Sequence, residues 1–556
     1  MSVLADAFRK TNEVQFLVEV NANGLIDRIA SMDISVPGGY LFHGRLLNEV
    51  SVATSFDLDG FKYSVSSVRI DRANDDRFQD NERLRVMDGA LGKIWVWTPG
   101  LTWSDIEVDG CIFQGTLEKD YHDRAHYCFN LNDLSKVKMG NLPGHSITTN
   151  TWPLHRTEGG AGSVAGRAVP IVFGTWSKGA PMLCVDATNF KYVTTYGISK
   201  SVDADYTAAT VNVYNKDGGV VNASGYAFTQ GIDAIGNPCC YFDFDNTQVS
   251  NEPLSCSIEG VVDGAGEYTA TAGEVIDHPA EIMGYVLEKV SGLSVSQVDR
   301  GSIKSIKSIF PGLKYASVIN AETPTAAYIN RVLSQVMAAM VPRSGGRIGA
   351  MWIDMDAMPM GRLIQDHHQI GETAIFRMTP ERLIVNRLEL KYNYNPTTAA
   401  YEGVIDLDRS NNETCRQSFY QYGVEYPKTV ECPDIYSEQD AMTIALRHVG
   451  IFAFRHYLID MDVSYADGFD FKEGDCALIQ LSELPEPEHE RLMSRCVLIE
   501  KAYTPRVIKQ RWFKINSQSP YEAPGATPYT KHPIFEDTLD AMFEDTEDTE
   551  WTKRET

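Results

Sequence analysis

Asp354 and Asp356, within MWIDMDAM, are two carboxylates at alternate positions, so on a strand both side chains would leave the same face. Paired carboxylates of that kind serve glycoside cleavage or hold calcium. Alternating Asp is also the ordinary solvent face of a strand, and that is the reading taken here. His122 and His126 stand at i and i+4 and would share a helical face, as zinc ligands do. The zinc-protease pattern needs Glu directly after the first His, however, and this chain has Asp123. Asp366-His367-His368 gathers ligand-type residues but reads as a polar loop. Gly144-His145-Ser146-Ile147-Thr148 begins like a nucleophile elbow and then has Thr148 where the tight turn needs Gly. Gly160-Ala161-Gly162-Ser163-Val164-Ala165 fits the G-x-G-x-x-A dinucleotide pattern. That pattern works only between a strand and a helix, and here a Pro- and Thr-rich loop precedes it.

The ten cysteines contain no C-x-x-C, and Cys184, Cys239, Cys240 and Cys256 fall in one region without metal or iron–sulfur spacing. They read as reduced core thiols. The expectation is therefore a protein with no catalytic residue, no cofactor and no metal, and not an enzyme. With 75 acidic against 50 basic residues, the net charge of −25 argues against a protein that grips nucleic acid. It suits a wall past which DNA slides, since like charges repel. No stretch approaches the roughly 18 apolar residues of a spanning helix, and the first residues lack the apolar core of a secretory signal.

The elements that must position these residues are mostly strands. VQFLVEV (14–20) alternates Val14, Phe16, Val18 and Val20 on one face and turns at Asn23-Gly24. FKYSVSSVRI after Asp57–Gly60, KIWVWTPG and CIFQGTLEK continue an antiparallel β domain over 1–145. After a Gly- and Pro-rich stretch, AVPIVFGTW, APMLCVDATNFKYVTTYGI, ATVNVYN and CCYFDFDN give an inserted small β domain over 146–255.

Residues 256–385 read as α+β. Pro279 opens a helix that Gly292 follows, with Ile282, Met283, Val286, Leu287 and Val290 on one side. Thr323-Pro324 opens a longer helix in which Ile329, Val332, Leu333, Val336, Met337 and Met340 recur until Pro342 stops it. Over 386–516, RLELKYNYN and YEGVIDL predict a hairpin, and Ser437 with Asp440 predicts a capped helix that Gly450 ends. FAFRHYLIDMDVSY, DCALIQL, SRCVLIEKAYTP and RVIKQRWFKIN predict four more strands. The fold class is mainly β with α+β parts, multidomain, with β-barrel-like domains, an inserted small β domain and a helix-containing domain.

In this order, the segments IFQGTLEK, GRAVPIVFG, GEYTATAGEVIDHPAEIMGYVLEKVSGL, LELKYNYNPTTAAYEGVI, SEQDAMTIALRHV and FDFKEGDCALIQL resemble those of the central hub proteins of phage tail tips and baseplates. The related hub of gene-transfer agents shares the pattern. The resemblance spans nearly all of 1–516. It departs at Asp277, where such proteins often have Asn before Pro and where His278 intervenes here. The resemblance implies a homotrimer about the tail axis whose two barrel-like domains per subunit make a pseudo-sixfold ring. It implies a virion location at the tail tip after assembly in the host cytoplasm. The implied partners are the distal tail ring protein, the tape-measure protein and a central fibre or receptor-binding protein. Two other classes stand beside it: a receptor- or glycan-binding tail protein using the eight Trp and 26 Tyr, and a virion-associated cell-wall-degrading enzyme.

Residues 517–556 fall outside that pattern. A Pro-rich linker precedes IFEDTLDAMFEDTED, which sets Ile534, Phe535, Leu539, Met542 and Phe543 largely on one face of a short acidic helix. An isolated helix of that length is marginal in water, so the segment reads as a docking peptide for a partner surface.

Overall fold

The turn predicted ahead of Leu25 is present. Strands Gln15–Ala22 and Leu25–Ala30 pair antiparallel with Ala22 opposite Leu25, and Gly24 takes the positive φ of 87° that such a turn requires. The protein is described from a computed structural model covering residues 2–514, apart from 12, 23, 77–86, 134–138, 143–144, 156–162, 201–210, 216, 222–225, 245–253, 354–362, 372, 396–397 and 483–493. Residues 1–517 form one compact unit, and the docking residues Ile534, Phe535, Leu539, Met542 and Phe543 lie outside the described residues.

Eight strands make the N-terminal sheet, in the order Ile34–Ser35, Leu41–Gly44, Leu25–Ala30, Gln15–Ala22, Leu91–Trp97, Cys111–His122, His126–Asp133, Val68–Ala73. Its two sides meet through the residues that follow Leu41–Gly44. The Leu46 amide donates to Ala30, the Leu47 amide to Asp71, and the Ala73 amide to the Arg45 carbonyl, at 2.8–2.9 Å. These bonds close the sheet into a barrel and leave no free edge there. Arg72, fully buried at the seam, is held by Asp27 and Asp76.

A second sheet closes in the same way. Leu363–Gln365, Cys476–Gln480, Ser494–Tyr503, Ile508–Lys514, Tyr457–Val463 and Ile375–Met378 follow one another, and Gln369 bridges Val463 while the Ile370 amide donates to Asp462. The two barrels share one apolar core. Leu17, Trp95 and Phe129 from the first belong to the same cluster as Ile459, Leu498 and Trp512 from the second, and Phe8 of the helix Val3–Lys10 joins them against Tyr465 and Phe469.

The inserted sheet runs Val213–Tyr214, Leu254–Glu259, Thr175–Asp186, Lys191–Tyr196, Pro238–Phe244, Tyr226–Ile232. Further on, His278 caps the helix Pro279–Tyr285 by accepting the Ala280 amide, and Gly292, at φ 70°, lies just beyond the π-turn Val286–Val290.

Two local expectations need correction. The helix opened by Thr323-Pro324 spans only Thr325–Ser334; the chain reverses at Met337 (φ 57°), and Ala338–Arg343 is a strand paired with Arg347–Trp352 through a Ser344–Gly346 turn. Ala338, Ala339, Met340 and Val341 are buried all round, and a continuous apolar run fits a doubly covered strand as well as a helix. Gly450 does not end its helix, which runs Glu438–Phe452. A further helix, Glu413–Tyr422, is capped by Asn412 and closed by Gly423 in the left-handed region.

Candidate functional site

The junction of the two barrels is made by a strap. Strand Val52–Asp57 forms a hairpin with Lys62–Val65 and on its other side joins the second barrel, with Val52 opposite Tyr503 and Ala53 opposite Ala502. Its tip reaches farther. Phe56, Leu58 and Phe61 are buried in the core of the helix-containing region, the Phe61 ring meets Phe452 edge-on at 5.8 Å, and Asp59 pairs with Lys428 at 2.8 Å. That lysine's hydrogen bond lowers the Asp59 pKa.

Beside the strap lies a cleft of about 450 Å³, lined by both barrels, the start of the N-terminal helix and the Ser344–Gly346 turn. Behind its wall residues Phe469 and Phe471 lies Lys501, whose buried Nζ donates to the carbonyls of Phe469 (2.8 Å) and Phe471 (2.7 Å). Burial lowers the Lys501 pKa to about 8, against the pull of Glu473, Asp475 and Asp470. Glu473 accepts the Tyr63 hydroxyl at 2.8 Å, and burial, followed by this carboxylate, pushes the Tyr63 pKa far up. Arg343 donates to the Glu473 carbonyl (2.9 Å) and the Ala350 carbonyl (2.6 Å). Strap, second barrel and the Ala338–Arg343 hairpin are thus tied at one polar knot. None of Thr54, Tyr63, Arg343, Glu473 and Lys501 carries a local sequence signal, because the contacts that join them, Thr54 to Lys501 and Tyr63 to Glu473, span more than four hundred positions.

The residues singled out for chemistry are dispersed. His122 and His126 do not share a helical face. They sit at either side of a hairpin tip, where His122 stacks near Tyr127 and His126 Nδ1 lies 3.2 Å from the Asp123 carboxylate. Asp123 also accepts the Ala125 and His126 amides, so it builds the turn. Asp366 accepts the Ser482 amide, and His368 Nδ1 accepts the Gln365 amide. His145 stacks on Tyr196 at 4.6 Å, Ser146 bridges Ala168, and Thr148 accepts the Asn150 and Thr151 amides in a turn. Ser163–Ala165 lead into a turn at Gly166, with Val164 packed beside Ile147 and Trp152. Asp354, Asp356, Gly144 and Gly160–Gly162 lie outside the described residues.

Cys184 and Cys256 are buried in one core of the inserted region and Cys239 in another, while Cys240 receives the Ser199 amide. Burial raises Cys239 to about 12 and Cys240 to about 11, and raises Cys256 as well. Among the described residues, no group of three or more His, Cys, Asp or Glu is placed to hold a metal ion. No described helix is long and apolar enough to cross a membrane.

No protein-family model matches the chain, and no curated protein matches it. Among solved structures, the chain is similar to a tail protein from Neisseria meningitidis MC58, with 8% identity over 90% of this chain and 96% of that one and a TM-score of 0.39. It is similar to the virion of a native gene transfer agent particle, with 11% identity over 70% of this chain and 93% of that one and a TM-score of 0.44. It is also similar to the tail protein of prophage MuSo2 from Shewanella oneidensis, with 8% identity over 90% of this chain and 98% of that one and a TM-score of 0.37.

Proposed function

We propose that this chain is a structural virion protein, the central hub of a phage tail tip or baseplate, which joins a sixfold tail tube to a threefold tip and gates the lumen for DNA ejection. The observation that carries this reading is that one chain closes two barrels on a shared core. Three such chains about one axis present six barrel units above and three subunits below, which resolves the symmetry mismatch without any new interface type. The ordered resemblance of its segments to tail-tip hubs points the same way. The charge of −25 suits a lumen that DNA crosses without binding. In this reading the chain performs no catalysis and needs no cofactor. It works in the virion at the tail tip after assembly in the host cytoplasm, between the distal tail ring and tape-measure proteins on one side and a central fibre or receptor-binding protein on the other. Mass measurement of an isolated tip complex tests it. Three copies are expected, and one or six copies would overturn the hub assignment.

A further inference from the structure

We propose that the edge strand Tyr226–Ile232 of the inserted sheet is a docking site for an extended strand of another protein of the particle. Among the described residues the backbone of this strand pairs only with Pro238–Phe244, and no described strand takes up the row of amides and carbonyls on its other side. That row is spaced for one kind of ligand, another extended backbone. Soluble proteins normally shield such edges with charge, proline, a bulge or brevity. The opposite edge of the same sheet, Val213–Tyr214, has only two residues, and the edges of the three-stranded sheet carry Pro427 and Lys428 on one side and Glu402 and Asp406 on the other. Tyr226–Ile232 reads YAFTQGI, with no charge, no proline and an unbroken register from Tyr226 opposite Phe244 to Ile232 opposite Pro238.

A second feature lies at the end of the same strand. The Asp233 carboxylate accepts the amides of Ile235 (3.0 Å) and Asn237 (2.9 Å), the Asn237 side chain (3.0 Å) and the Tyr196 hydroxyl (3.1 Å). This locks a turn on which Ile232 and Ile235 stand 66% and 59% exposed. The neighbourhood is fixed by the Ala234 amide, which donates to Thr151 at 2.9 Å. Apolar side chains held on a pre-ordered turn lose little freedom when they are covered, which is what a docking anchor needs. Edge and anchor together define the occupant as an uncharged extended segment with apolar residues alternating against Phe228 and Ile232, since a charge buried at such an edge would go unpaired.

That the strand comes from a different protein, and not from a second copy about a two-fold axis, rests on the threefold ring proposed above. Hydrogen exchange of residues 226–232 in the purified full-length chain and in intact particles tests the proposal. Exchange is expected to be at least about tenfold slower in particles. Particles assembled with Gln230→Lys and Ile232→Asp, both exposed positions that the fold tolerates, are expected to keep three copies of the chain while lacking one other protein in a mass-spectrometric inventory. Equal exchange in the two states, or variant particles with a full inventory, would overturn the docking site. A dimer of the purified chain that Ile232→Asp dissolves would assign the edge to a second copy and overturn the partner. A copy number other than three would sink the hub reading and with it the ground for choosing a different protein over a second copy, while the exchange result would still decide whether the edge is covered.

Discussion

Thr54 and Lys501 hold each other twice: the Thr54 hydroxyl donates to the Lys501 carbonyl and accepts the Lys501 amide, both at 2.8 Å. The pair lies where the strap meets the second barrel, so a side chain of the strap completes the backbone of that barrel. Thr54→Val keeps the shape and removes both bonds, leaving a buried amide and carbonyl unsatisfied. It is expected to cost about 1–3 kcal/mol in urea unfolding of the full chain. Thr54→Ser, which retains the hydroxyl, should cost clearly less.

His278 predicts an acid sensitivity. Its Nδ1 accepts the Ala280 amide at 3.1 Å and its Nε2 donates to the Phe310 carbonyl at 3.1 Å, and burial holds its pKa down to about 4 from an ordinary 6.5. The unfolded chain therefore takes up the proton first. This contribution to stability is full above pH 6.5 and falls as pH drops toward 4, by about 1.4 kcal/mol per unit. His278→Asn preserves a cap acceptor but does not titrate, so the unfolding midpoint should change less steeply between pH 6.5 and 4.

If the chain performs no catalysis, alanine at Asp354, Asp356, His122 or His126 should leave assembly and infection within a few-fold of normal. A plaque assay paired with particle counts reads this, and intact particles that fail to infect would restore an enzymatic role.

Deleting 517–556 should leave 1–516 folded and weaken attachment of a neighbouring tip protein, because Phe535, Leu539, Met542 and Phe543 would each contribute about 1.5–3 kcal/mol on burial. Phe535→Asp with Leu539→Asp should reproduce the loss. Complete, infectious tips from the truncated chain would reduce the segment to a solvated tail.

What was legible in the sequence was local. The Asn23-Gly24 hairpin, the Leu388–Leu407 pairing, the Ser437 cap and the last four strands each announce themselves within a few residues. The Ala338–Arg343 strand was hidden because an apolar run covered on every side has no period to read. Helix Glu413–Tyr422 buries only Cys415 and Ser418, so it shows no apolar stripe. The junction was invisible for a different reason. Lys501 sits in a strand the sequence does predict, yet its burial depends on Thr54, 447 positions earlier.

That separation also sets a timetable. During synthesis the strap is made early, and the strand it pairs with leaves the ribosome only after some 447 further residues. At about 5–20 residues per second the delay is on the order of 20 to 90 seconds. Through that interval the core that Phe56, Leu58 and Phe61 enter is incomplete, and the strap's pairing edge is open to any other nascent chain. The junction of the two barrels therefore cannot finish folding while the chain is being made, and chaperone capture in that window, more than final stability, should govern the yield of assembled protein.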